Sequence, residues 1–117
     1  MTANALLHSA VDEHAGKRIA FHRKGWMKVN ETTLTIHTTD ISEQIVGLMM
    51  EAPARIGLAC ALHFRTLVGG RITTLHLTGT VAYCTLVGLK GYRVGIRMDS
   101  ANKENADQLA MILSSRP

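Results

Sequence analysis

The spacing of apolar and polar residues changes period twice along the chain. Residues 2–15 set Leu6, Leu7, Ala10, Val11 and His14 at helical intervals, and Gly16 then supplies a residue suited to the left-handed turn that commonly ends a helix. A short N-terminal helix is predicted there. Beyond Trp26 the period falls to two. Residues 32–39 read Thr-Thr-Leu-Thr-Ile-His-Thr-Thr, a run whose β-branched side chains fit a pleated surface better than a helix. Further strands are expected at 26–29, 45–51, 59–67, 71–83 and 92–98, with Asn30 and Glu31 as a tight hairpin turn. Pro53, Gly57, Gly69, Gly70, Gly88 and Gly91 punctuate the rest. Alternation sets Cys60, Leu62 and Phe64 against His63 and Arg65, and Tyr92, Val94, Ile96 and Met98 against Arg93 and Arg97. Six short strands with short turns predict a mainly β fold, a closed antiparallel barrel. Helical spacing returns at the end, with Ala106, Leu109, Ala110 and Leu113 on one face and Asp99 or Ser100 available as N-cap. That helix is expected to cover one end of the barrel.

Composition adds limits to this pattern. The 117 residues, 46% hydrophobic and 19% charged, suit one folded domain and are too few for two of ordinary size. No run reaches the roughly 18 apolar residues of a membrane span, and polar and acidic residues stand where a secretory signal would be apolar; a cytoplasmic location is expected. Cys60 and Cys84 lie in apolar runs and read as small core residues, not as a disulfide or nucleophile. None of the six histidines shows helical i, i+4 ligand spacing with an acidic companion, so no metal is expected. Ser42 lies outside any Gly-x-Ser-x-Gly elbow, and no enzymatic activity is expected.

Charge is where the chain departs from an ordinary small domain. The net charge of +4 is moderate, yet Lys17, Arg18, Arg23, Lys24 and Lys28 fall within twelve residues that hold no acid. Such a cluster forms a solvated face or receives a phosphate-bearing partner through charge-assisted hydrogen bonds. Aromatic residues make up only 4%, which argues against nucleic acid as that partner.

The basic segment Lys17-Arg18-Ile-Ala-Phe-His22-Arg23 leads into the first strand, and Asp40-Ile41-Ser42 follows the second. Gly79-Thr-Val81-Ala-Tyr83, a glycine-rich turn, and Gly91-Tyr-Arg-Val-Gly95-Ile-Arg-Met98 come later, before a helix. This order of parts resembles the PilZ family of cyclic di-GMP receptors. The resemblance runs from about Lys17 to Leu113. It implies a six-stranded PilZ-type barrel with a C-terminal helix over residues 17–117, preceded by an N-terminal helical extension over 1–16. It also implies cyclic di-GMP as ligand, no other cofactor, and a binding set of Arg18, His22, Arg23, Asp40 and Ser42. Arginines can hold the phosphates and the Hoogsteen edges of guanine while their planes stack on the bases.

Both family motifs, Arg-x-x-x-Arg and Asp/Asn-x-Ser-x-x-Gly, are altered in this chain. Arg18 and Arg23 are separated by one extra residue, His22 standing where the second arginine is expected. Ile45 occupies the glycine position, and the next glycine, Gly47, comes two residues late. Two readings follow. In one, the protein is a cyclic di-GMP receptor whose N-terminal segment changes on binding and signals to a protein partner. In the other, a ligand-free PilZ protein acts through protein contacts, for example in type IV pilus or motility control. Either works as a monomer or homodimer.

Overall fold

The computed structural model describes residues 18–99 and 101–114, so the predicted N-terminal helix and the Ser100 cap lie outside the described residues. Seven strands and a helix follow one another: β1 (Ile19–Ala20), β2 (Lys24–Val29), β3 (Thr32–Ile41), β4 (Ile45–Met50), β5 (Ala59–Val68), β6 (Arg71–Leu86), β7 (Tyr92–Met98) and α1 (Lys103–Ser114). All pairings are antiparallel, in the order β1-β3-β2-β5-β6-β7-β4, and β3 also pairs with β4. That last contact closes β2 to β7 into a six-stranded barrel, with β1 as a short addition beside β3. Closure leaves most backbone donors and acceptors within the ladder.

The expected strands form, several of them longer than the alternation alone suggested. Asn30 turns between β2 and β3 with φ of 55°, in the left-handed region that asparagine tolerates and two-residue hairpins require. Inside the barrel Met27, Ile36, Leu48, Leu62, Phe64, Leu77, Val94 and Ile96 are completely buried. They come from alternate positions of all six strands, as a core filled from every wall demands. Cys60 belongs to this interior, where burial pushes its thiol up to about 11, and both cysteines are free.

The helix differs from expectation in two respects. Its buried face is Asn105, Leu109 and Ile112, whereas Ala106 and Ala110 are exposed and Leu113 is half-buried. Its N-cap is Asn102, whose side-chain oxygen accepts from the Asn105 N–H at 3.2 Å, and Asp99 instead accepts from the Ala101 N–H at 3.0 Å. Both corrections have one cause, the unpaired edge of β6. Before Gly79 this strand has only β5 beside it, and side-chain amides of α1 fill the vacancy. Asn105 accepts from the Thr78 N–H at 3.1 Å and donates to the Thr78 carbonyl at 2.7 Å, while Gln108 accepts from the His76 N–H at 2.9 Å. A polar residue therefore sits at the centre of the buried face, a position an apolar periodicity cannot mark.

Candidate functional site

Strands β1 and β2 are one strand interrupted. Ala20 pairs with Asp40 and Lys24 with His37, so Phe21, His22 and Arg23 stand opposite only Thr38 and Thr39. Three residues against two make a bulge. The buried Thr38 hydroxyl ties it down, accepting from the Arg23 N–H at 2.7 Å and donating to the Phe21 carbonyl at 2.7 Å. The extra residue between the two arginines is thus absorbed by the backbone at this bulge.

Arg18, just before β1, lies against the outer wall of the barrel. Its guanidinium is 3.3 Å from the Asp40 carboxylate, donates to the Tyr83 hydroxyl at 3.2 Å, and stands 5.7 Å from the Tyr83 ring centre. The Thr39 hydroxyl donates to the other carboxylate oxygen at 2.6 Å. Register explains the gathering: Asp40 pairs with Gly47, Gly47 with Gly95, and Gly95 with Tyr83, a single row across β3, β4, β7 and β6. The two central glycines leave a trough. A Cβ on Gly47 would run into the Asp40 carboxylate, and one on Gly95 into the Tyr83 ring. Asp40 and Tyr83 therefore lean inward over the trough from its two sides, and Arg18 reaches both.

Arg23 goes elsewhere. Its guanidinium stacks over Phe21 at 4.7 Å, and it donates to the Thr66 hydroxyl at 2.9 Å and the His22 carbonyl at 2.8 Å. Phe21 meets Phe64 edge-on at 5.6 Å, so this arginine is mounted on the aromatic end of the core. Beside it opens a cavity of about 380 Å³ lined by Arg23, Arg65, Thr66, Leu67 and Ile72. His22 is exposed between the two arginines.

Ser42 is completely buried in the β3–β4 turn. Its hydroxyl accepts from the Ile45 N–H at 3.1 Å, and its own N–H donates to the Ile45 carbonyl at 2.9 Å. Ile45 is fully buried too. Of the five residues singled out from sequence, then, Arg18 and Asp40 meet, Arg23 and His22 form a second group across the bulge, and Ser42 holds the turn that aims β4 back along β3. Tyr83, Gly95, Thr38 and Thr66 complete the arrangement and were not among the five. Glycines inside otherwise apolar strands, at 47 and 95, were the available signal, because strand glycine marks a close approach. Among the described residues no three His, Cys, Asp or Glu side chains gather as a metal site would require.

No protein-family model matches the sequence, and the curated proteins provide no match. Solved structures do match. The inhibitor of motility MotI/DgrA of Bacillus subtilis superposes with a TM-score of 0.66 at 10% identity, over 86% of this chain and 51% of that one. The PilZ domain of YcgR from Escherichia coli, with c-di-GMP, gives 0.64 at 17% identity, over 85% of this chain and 87% of that one. The PlzA protein of Borreliella burgdorferi, in complex with c-di-GMP, gives 0.54 at 12% identity, over 95% and 55%. The chain spans about half the length of the MotI/DgrA and PlzA chains. Its fold is the PilZ-type barrel.

Proposed function

We propose that this PilZ-type barrel is a cyclic di-GMP receptor acting as a non-enzymatic adaptor, with Arg18 and Arg23 as the anion- and guanine-binding groups and Asp40 as an acceptor for guanine N–H donors. The observation that carries the reading is the meeting of Arg18 and Asp40 at 3.3 Å over the Gly47–Gly95 trough, where residues 22 positions apart converge. Asp40 neutralises Arg18 while the site is empty. A phosphate competing for the guanidinium draws the segment before β2 into a new position, and that displacement alters the surface offered to a protein partner. His22, exposed beside Arg23, is available to assist.

Calorimetric titration with cyclic di-GMP at physiological salt, with GMP as control, tests this. A Kd at or below about 10 μM, roughly 7 kcal/mol, is expected, with Arg23→Ala abolishing the heat while the barrel stays folded. No heat up to millimolar ligand overturns the receptor reading.

The second reading, an adaptor of the same fold acting without ligand, is favoured by the complete burial of Ser42 and of Ile45, which stands at the second motif's glycine position, so that neither reaches the surface. A ligand-independent complex recovered from cells lacking cyclic di-GMP would support it.

A further inference from the structure

The barrel has a second wall whose chemistry the trough does not use. In the ring of strands β2 and β5 stand opposite β7 and β4, so the outer face of β2, β5 and the first half of β6 looks away from Arg18 and Asp40. These three strands contain no acidic residue. Register puts Trp26 beside His63 and His63 beside His76, a row of three rings across three strands. The N–H of His76 turns away from β5 toward Gln108, so His63 and His76 form a non-hydrogen-bonded pair, the type in which side chains come closest. Their ring centres are 4.3 Å apart. Lys24 and Lys28 flank Trp26 two residues away on the same face, about 7 Å along the strand, and Arg65 flanks His63 likewise. Trp26 remains 45% exposed.

We propose that this wall binds single-stranded nucleic acid, its bases stacking on Trp26 and the histidine rings and its phosphates held by Lys24, Lys28 and Arg65. Rings set between cations, with no carboxylate among them, are what a sequence-tolerant strand needs. The low count of Phe, Tyr and Trp pointed the other way, but that count leaves out imidazoles, and here two of them extend the platform begun by the single tryptophan. An acidic polypeptide is the competing anion. It anchors through side chains inserted in pockets, and the cavities beside this wall take in its margins, Lys28 on one side and Arg65 with Leu67 and Ile72 on the other, not the rings.

Because Trp26 is the only tryptophan, its emission reports the wall directly. The full-length protein is titrated at low salt with fluorescein-labelled oligothymidine, following anisotropy and tryptophan quenching, with a polyglutamate peptide in parallel. Binding with quenching is expected, with Trp26→Ala and Lys28→Glu each weakening it about tenfold or more. Lys28→Glu is also expected to lower the salt slope by at least about 0.7. Arg93→Glu on the opposite wall makes the same change in net charge and is expected to leave affinity within about twofold, which separates a local site from general attraction. Absence of binding, binding that ignores both wall variants while they retain the parent melting temperature, or equal quenching by polyglutamate overturns the proposal. The cyclic di-GMP titration reads Arg18 and Arg23, and although Arg23 shares a cavity with Arg65, Trp26 and Lys28 lie outside that cavity, so their variants keep failure of one reading distinct from failure of the other.

Discussion

Arg18 and Asp40 are neither a surface pair nor a buried one: their side chains are 20% and 14% exposed. An exposed pair contributes under about 1 kcal/mol, whereas removing one partner of a buried pair strands the other's charge. The intermediate position predicts a measurable coupling. Arg18→Ala and Asp40→Ala are each expected to destabilise by about 1–2 kcal/mol in urea unfolding, and the double variant by less than their sum, with an interaction of at least about 0.5 kcal/mol. Additive effects would mean that the two side chains merely lie near each other. Gly95→Ala reaches the same cluster from below: its Cβ displaces the Tyr83 ring, and overpacking of about 1–3 kcal/mol is expected to lower the melting temperature. On the opposite wall His63 is held below its ordinary value of 6.5, first by burial and then by repulsion from His76 and Lys28. The unfolded state then binds more protons than the native one just below pH 6.5, so this contribution to stability is complete above that pH and is lost as pH falls toward the lowered value. NMR titration is expected to find His63 below 6.5 and rising in His76→Ala; an unshifted His63 contradicts the packing of the two rings.

At the scale of elements, the strands were legible because their alternation is strong and every turn between them but the β3–β4 one carries Asn or Gly; β7 begins and ends where its pattern does. What escaped were places where a polar side chain substitutes for backbone. Asn105 occupies the buried face of α1 because β6 lacks a neighbouring strand there, a fact of topology and not of periodicity. Asn105→Ala is accordingly expected to cost about 2 kcal/mol, since it leaves the Thr78 N–H unmatched and its carbonyl with the Asp99 N–H alone, and to speed hydrogen exchange in α1 selectively. A uniform increase across the barrel would show that the helix, whose Leu109 and Ile112 join the core, opens only together with the barrel. The geometry of the candidate site was half legible for a similar reason. Arg18 and Asp40, which the family resemblance singled out, do meet in the structure, and the bulge that accommodates the long spacing to Arg23 was not visible, because it depends on Thr38 across the ladder. Ser42, chosen for a ligand, serves the turn, the role short hydroxyl side chains commonly fill.

For the whole molecule, the closed ring means that opposite walls share one core, and among the described strands β1 has the fewest ladder pairs. In the ladder β1 has two pairs, against six between β2 and β3 and ten between β5 and β6, and side chains supply much of what else holds residues 18–23: Arg18 on Asp40 and Tyr83, Arg23 on Thr66, and the bonds of Thr38. Local opening costs least where the fewest ladder bonds are given up, so this segment can separate from β3 while β2 to β7 stay closed, with exposure of the buried Phe21 as the main cost. Hydrogen exchange is expected to be fastest over residues 18–23 among the described strands, to accelerate further in Thr38→Val, and to slow when cyclic di-GMP is added. The first two outcomes follow from the fold; the third follows only if the arginines bind the ligand while the segment is held down. Fast exchange unaffected by saturating ligand would leave an adaptor whose β1 segment moves without reporting the nucleotide. Slow exchange in the free protein would remove the moving part on which the receptor reading relies.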